Sequence, residues 1–291
     1  MVEGIITKGI GGFYYVKTEN GTIECRARGL FREENLKPLI GDRVLIRINS
    51  EDNTGYIEEI LPRKSQLLRP PVANVTQVII VMSIKNPDIN PWLMDRFIVM
   101  AEKEKLNILI CINKVDLDYD KSQELINIYK GIGYDVIGTS TKENIGINEL
   151  KEHLNNNISV FAGPSGVGKS SLLNAINKDF KLKTGDVSAK TKRGRHTTRH
   201  VELLELNKDS YVLDTPGFGS LNLDFIEDEL ELKEYFREIK KHGTDCKFSS
   251  CLHENEPECA VKKQVELGNI SETRYSSYLD FLQEIRENRR Y

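Results

Sequence analysis

Before residue 61, apolar and polar positions alternate with a period of two in five short runs: 4–7, 13–17, 22–26, 43–48 and 55–60. Turn-forming residues separate them at Gly11-Gly12, Glu19-Asn20-Gly21, Gly41-Asp42 and Glu51-Asp52-Asn53. Alternation puts every second side chain on one face of a strand. Five such strands with no helical pattern between them predict a small barrel of the OB type. At Arg69-Pro70-Pro71 the texture changes and reads as a linker. A nearly continuous apolar run at 75–82 then has the character of a strand buried on both faces. Asn90-Pro91 supplies a cap and a first-turn proline for a helix to about Lys105. There follow a strand at 107–112, a helix at 121–130, a strand at 135–137, a helix at 147–154, a strand at 158–162 and a helical pattern at 171–176. Strands alternating with helices predict a parallel α/β sheet whose ligands lie at the C-terminal strand ends. Two more strands are expected at 201–206 and 210–213, then an acidic helix at 224–240. A last helix at 271–290 carries Tyr275, Tyr278, Leu279, Leu282 and Ile285 on one face, a stripe that reads as core packing. The chain divides on this reading into 1–68, 69–222 and 223–291.

Composition changes the picture only locally. A chain of 291 residues accommodates two or three domains, and its net charge of −3 gives no global attraction to nucleic acid. Any such contact must come from patches. Arg26, Arg28, Arg32 and Lys37 surround one barrel loop with Phe13, Tyr14 and Phe31 available for stacking. A solvated charged loop on a spacer domain explains these residues equally well. No apolar run is long enough to span a bilayer, and Met1-Val2-Glu3-Gly4 does not open a signal peptide. A cytoplasmic monomer with no membrane partner is expected. Of five cysteines, Cys25 and Cys111 sit in apolar strand patterns, as buried structural thiols do. The other three cluster late in the chain, where an intracellular setting favours a metal over disulfides.

The most specific stretch is Gly163-Pro164-Ser165-Gly166-Val167-Gly168-Lys169-Ser170-Ser171, between the strand at 158–162 and a helix. It has the spacing G-x-x-x-x-G-K-[ST] of a phosphate loop. Its glycines let the backbone wrap around phosphates and turn N–H groups inward, and the helix adds the positive end of its dipole. Lys169 suits the β- and γ-phosphates, and the Ser170 hydroxyl suits Mg²⁺. Asn113-Lys114-Val115-Asp116 ends another strand. A carboxylate at Asp116 can accept hydrogen bonds from guanine N1–H and the 2-amino group, donors that adenine does not present together. Asn113 would brace the loop near N7 and Lys114 would cover the base, while Ser140-Thr141 fits a loop beside O6.

Between 181 and 200 the chain is basic, with seven Lys or Arg against Asp186, and contains Gly194-Arg195-His196-Thr197-Thr198. A nucleotide-ordered switch needs a threonine for Mg²⁺ and the γ-phosphate, and Thr197 and Thr198 both qualify. Asp214-Thr215-Pro216-Gly217 follows the last apolar strand, with Asp214 suited to Mg²⁺ and the Gly217 N–H to the γ-phosphate. Phe218 stands where many GTPases place a water-orienting glutamine. Cys246, Cys251, His253 and Cys259 form a complete set of three thiolates and one imidazole within fourteen residues, as one structural zinc requires.

The order of these motifs is unusual, because the guanine-type element precedes the phosphate loop. That order, the barrel and the Cys/His spacing together resemble the RsgA family of circularly permuted GTPases of bacterial small-subunit biogenesis. The resemblance implies an N-terminal OB-fold, a central permuted α/β P-loop GTPase domain and a C-terminal helical zinc-binding domain. It implies GTP and GDP as ligands, Mg²⁺ with GTP, and binding to the 30S subunit and its 16S rRNA late in assembly, where hydrolysis is stimulated. It also implies a switch histidine beside the attacking water, which is His196 here, acting with Lys169 and Thr198. A nucleotide-gated binding module with negligible turnover is the alternative that Phe218 permits. A metabolic kinase is disfavoured because it has no need of a guanine reader.

Overall fold

The computed structural model describes residues 1–29, 31, 36–49, 52–67, 71–182, 202–213 and 222–288. Its elements begin with β1 (Val2–Ile10), β2 (Phe13–Thr18), β3 (Gly21–Ala27), β4 (Arg43–Ile48) and β5 (Gly55–Ile60). Two short strands, β6 (Gln66–Leu67) and β7 (Val72–Ala73), precede β8 (Gln77–Ser83). Then come α1 (Pro91–Lys103), β9 (Asn107–Asn113), α2 (Tyr119–Ile132), β10 (Asp135–Thr139), α3 (Ile147–His153), β11 (Ile158–Ala162) and α4 (Lys169–Ile176). The remainder is β12 (Leu203–Asn207), β13 (Ser210–Leu213), α5 (Glu229–Leu232), α6 (Arg237–Gly243), α7 (Ala260–Glu266) and α8 (Glu272–Asn288). No helix among the described residues is long and apolar enough to cross a membrane. Two compact units result, one of Met1–Ile79 with Ile147–Gly219 and the other of Ile80–Gly146 with Ser220–Tyr291.

In the first unit, β1 to β5 close into a barrel with strand order β1-β2-β3-β5-β4. Its alternating pattern turns Ile6, Val16, Ile23, Cys25, Val44, Ile46 and Ile57 inward to one apolar core. Burial pushes the Cys25 thiol up to about 11, as an inert core thiol requires. β11 pairs in parallel with β13, and β12 pairs with β13 antiparallel. The β12–β13 hairpin therefore adds an antiparallel strand beside the parallel β11–β13 pair. Its short connection, Lys208-Asp209, can join antiparallel neighbours only. The hairpin meets the barrel through Lys8–Glu202, Lys17–Glu205 and Arg43–Asp209 ion pairs at 3.1, 2.7 and 3.1 Å.

In the second unit, β9 and β10 pair in parallel from Asp135↔Leu109 to Thr139↔Asn113. Asn90 caps α1 by accepting from the Leu93 N–H, and Asp118 caps α2 by accepting from the Lys121 N–H. Burial pushes the Cys111 thiol up to about 12, again consistent with a structural cysteine. The acidic helix expected at 224–240 is instead broken into α5, a 3-10 turn (Lys233–Tyr235) and α6. The break is at Phe236, which adopts an extended backbone and is fully buried. Packing of that ring against Tyr278 and Phe281 at centroid distances of 5.3 and 6.1 Å overrides helix continuity.

The expected stripe of the last helix does pack as core. Tyr278, Leu282 and Ile285 are buried, and Tyr275 and Leu279 lie against the same cluster, which also takes in Val99 and Trp92 of α1. A second layer of cohesion is ionic. Arg274 of α8 is fully buried and contacts Asp95 of α1 at 2.7 Å and Glu238 of α6 at 2.7 Å. Tyr129 of α2 donates its hydroxyl to the same Asp95 oxygen at 2.6 Å. Burial opposes charge on Arg274, but the two carboxylates hold its pKa well above the ordinary arginine range.

Candidate nucleotide site and metal centre

In the first unit, β11 is buried along its whole length and delivers the chain into the phosphate-loop stretch. Gly163, Gly166 and Gly168 have φ of 141°, 81° and 99°. A Cβ would be strained at each, which explains glycine at these three places. The Lys169 ammonium donates to the carbonyls of Gly163 and Pro164, both at 2.8 Å. The lysine thus draws the loop into a ring around its own charge. Val167 is buried and anchors the loop, while Ser165 and Gly166 are exposed at its crown. α4 starts at Lys169 with Gly168 as its cap, and it is held from below by Leu172, Leu173 and Ile176. The stretch from Gly163 to Ser170 is therefore presented between a strand and a helix, with the helix N-terminus in the loop.

In the second unit, Asn113 ends β9 and is buried. Its Oδ1 accepts from the Thr139 hydroxyl at 3.0 Å, and its carbonyl accepts from the Ile84 N–H at 2.9 Å. The asparagine is thus braced by two neighbouring strands. Lys114 takes a left-handed conformation, φ 61°, and its ammonium donates to the Asn86 carbonyl. The following 3-10 turn, Val115–Leu117, carries Asp116 in a half-buried position. Ser140 is buried, and its N–H and carbonyl pair with Ile145 at 3.0 Å each while its hydroxyl accepts from the Glu143 N–H. Thr141 is exposed on this loop. Gly146 closes it: φ is +67°, and a Cβ there would lie 2.1 Å from the Gly138 carbonyl oxygen.

Sequence reasoning did not pick out Thr139 and Gly146. The signal for Thr139 is a hydroxyl in register beside Asn113, which requires the strand pairing to be known.

The switch residues His196, Thr197, Thr198, Asp214, Gly217 and Phe218 lie outside the described residues, as does Arg32 of the basic barrel loop.

Cys246, Cys251, His253 and Cys259 come together in the second unit, with all ligand atoms within 4.8 Å of one another. Sulfur–sulfur separations are 3.8 and 3.9 Å, and His253 Nδ1 lies 3.4 and 3.5 Å from two of the sulfurs. A tetrahedral zinc with S and N ligands needs edges of about 3.8 Å and about 3.6 Å from its bond lengths. The four side chains fit such an ion. Burial pushes the Cys251 thiol up to about 12 and the His253 imidazole down to about 4. Charge here is unfavourable unless a central cation offsets the thiolates.

The ligand loop is held from outside. Glu256 accepts the N–H groups of Leu252 and Glu254 at 2.6 and 3.0 Å. Tyr275 and Tyr278 donate to the carbonyls of His253 and Leu252 at 2.6 and 3.1 Å. The sequence did mark these two tyrosines as core. Their hydroxyls, which phenylalanine would lack, were the unread sign of a polar task.

The family model described as RsgA GTPase matches residues 60–255, and that described as RsgA N-terminal domain matches residues 3–57. The small ribosomal subunit biogenesis GTPase RsgA of Caldanaerobacter subterraneus is 53% identical over 293 residues, covering 100% of this chain and 98% of the relative. Its counterpart from Alkaliphilus metalliredigens is 48% identical and covers 100% of both chains. Among solved structures, the circularly permuted GTPase YloQ superposes with a TM-score of 0.83 at 40% identity, covering 99% of this chain and 96% of that one. YjeQ from Thermotoga maritima gives a TM-score of 0.85 at 43% identity and covers 98% of each. With a barrel, a guanine-type element preceding its phosphate loop and a Cys₃His cluster in one chain, the protein belongs to the RsgA family of circularly permuted GTPases, which hydrolyse GTP.

Proposed function

We propose that this GTPase serves assembly of the small ribosomal subunit, binding the 30S particle through 16S rRNA late in assembly and hydrolysing GTP faster when bound there. The observation that carries this reading is the full-length match to relatives named for small-subunit biogenesis. The domains are taken as 1–68, 69–222 and 223–291, in a cytoplasmic monomer.

Asn113, Lys114 and Asp116 would read guanine with the Ser140-Thr141 loop at O6. Gly163 to Ser171 would cradle the phosphates. Ser170, Thr198 and Asp214 would hold Mg²⁺, which supplies charge neutralisation on the phosphate oxygens. Thr197 and Gly217 would face the γ-phosphate. Lys169, whose ammonium already spans the loop carbonyls, would offset charge on the β- and γ-phosphates. His196 would orient water for attack on the γ-phosphorus as the bond to the bridging oxygen breaks, leaving GDP and inorganic phosphate. Cys246, Cys251, His253 and Cys259 would hold one structural zinc.

Asp116→Asn is expected to weaken GTP by two or more tenfold steps and to favour xanthosine triphosphate, because an amide donor then faces a carbonyl where guanine has an amino group. Competition titration checks this, and equal GTP binding by both proteins would remove Asp116 from the base site. The catalytic part is tested by His196→Ala, expected to keep GTP and 30S binding while losing most 30S-stimulated turnover. Full stimulation of that variant at saturating 30S would assign water positioning to another residue. The absence of any stimulation of the wild-type protein by 30S would overturn the assembly reading itself.

A further inference from the structure

The turn that carries Asp116 is gripped at both ends by one loop. Within that turn, Val115–Leu117, Val115 is buried, Asp116 is half-buried and Leu117 is exposed. Core packing therefore fixes only the first of the three side chains. Before Asp116, the Lys114 ammonium donates to the Asn86 carbonyl. After it, the Asp118 carboxylate meets the Lys85 ammonium at 2.9 Å, and the Asp118 N–H donates to the Val115 carbonyl at 3.2 Å. The same carboxylate accepts the Lys121 N–H at 3.3 Å and so caps α2. Lys85 and the Lys121 N–H together hold the Asp118 carboxyl below the usual carboxylate range. Lys85 and Asn86 are consecutive residues of the loop that leaves β8. That loop is tied to itself, because the Ser83 hydroxyl donates to the Pro87 carbonyl at 2.7 Å and the Ile89 N–H to the Ile84 carbonyl at 3.4 Å. Asn86 takes a left-handed backbone, φ 53°, a conformation that asparagine tolerates better than most residues.

From this clamp we infer that Lys85 and Asp118 are positioning residues for guanine selectivity, their ion pair aiming the Asp116 carboxylate at the edge of the base. The inference rests on the proposed reading of guanine by Asp116. A carboxylate that must meet N1–H and the 2-amino group together tolerates less displacement than one that makes a single bond. Loosening the turn therefore penalises a nucleotide with both donors more than a nucleotide with one. Inosine triphosphate keeps N1–H and lacks the 2-amino group, so it supplies the comparison. A partly solvated ion pair contributes little to stability by itself. This one bears on a turn whose own packing is confined to Val115, so its effect falls on the direction of a neighbouring side chain.

The test is competition of GTP and inosine triphosphate against a fluorescent GDP derivative on the full-length protein. Wild type is expected to prefer GTP. Lys85→Ala should weaken GTP about three- to fivefold and inosine triphosphate by less than about twofold, so that the ratio of the two affinities falls. Asp118→Asn keeps a side chain able to cap α2 and loses the charge, and it should behave alike. The double variant should be no worse than either single one, as two residues acting through one contact require. Lys85→Arg should restore the ratio, and wild type and Lys85→Ala should converge at about 1 M salt. An unchanged ratio in both Lys85→Ala and Asp118→Asn overturns the inference, and a lowered melting temperature beside it would leave the pair a support of the fold alone. Additive losses in the double variant overturn it too. Equal affinity of the wild-type protein for the two nucleotides would instead remove Asp116 from the base site, and the role of the clamp with it.

Discussion

Cys251→Ala is expected to abolish metal binding and to unfold the packing around α6, α7 and α8. Structural zinc sites of this donor set contribute apparent energies of roughly 10–16 kcal/mol in peptides, so ligand loss and unfolding are one event. Cys251 is itself buried in the apolar cluster that joins these helices to Trp92 and Val99 of α1. Trp92 is the one tryptophan of the chain and packs edge-on against Phe281 at 5.4 Å. Its emission therefore reports the event directly, and a red shift is expected both in the variant and in wild type treated with a strong chelator. Elemental analysis should find one zinc per wild-type chain. The phosphate loop belongs to the other compact unit, so nucleotide binding through it should persist. Protein purified without chelator that contains no metal, or an unshifted tryptophan after chelation, would refute the structural role.

Arg274→Ala should destabilise the second unit by about 3–5 kcal/mol, because it strands two carboxylates in the interior. Asp95 and Glu238 would have to protonate or draw water into the core, and the guanidinium that now lies 4.5 Å from the Phe236 ring would be lost. Arg274→Lys should recover only part of the loss, since one ammonium cannot reproduce a fork that meets two acids and an aromatic face at once. The contrasting variant is Arg286→Ala, whose pairs with Glu229 and Glu254 are partly solvated. It should cost at most about 1 kcal/mol. Denaturant titration followed by Trp92 emission compares the three. An Arg274→Ala loss no larger than that of Arg286→Ala would show the buried triad to be energetically neutral.

Local rules made much of this molecule legible. The five barrel strands follow from period-two alternation, and the phosphate loop follows from glycines whose positive φ no other residue adopts comfortably. The Cys₃His cluster follows from donor chemistry and spacing. What escaped depends on partners far away in the chain. The pattern at 224–240 is helical by itself, but Phe236 is claimed by Tyr278 and Phe281. Nothing near Asp95 announces Arg274, and nothing near Asn113 announces Thr139. The tyrosine hydroxyls behind the metal loop mark the same boundary: residue type hints at a bond, but only the fold supplies the acceptor.

The buried triad also bears on the order in which the protein comes together. Asp95 and Arg274 are 179 positions apart, and Arg96 and Glu284 are 188 apart. The barrel, by contrast, closes within its first 60 residues. Contacts of such separation are reached only after a large loss of chain entropy, and folding slows as they come to dominate. The barrel can therefore mature early while α1 waits for α8 with Asp95 unneutralised and its apolar side uncovered. During that interval the second unit is the vulnerable part of the chain, the part a chaperone would hold and a protease would cut first.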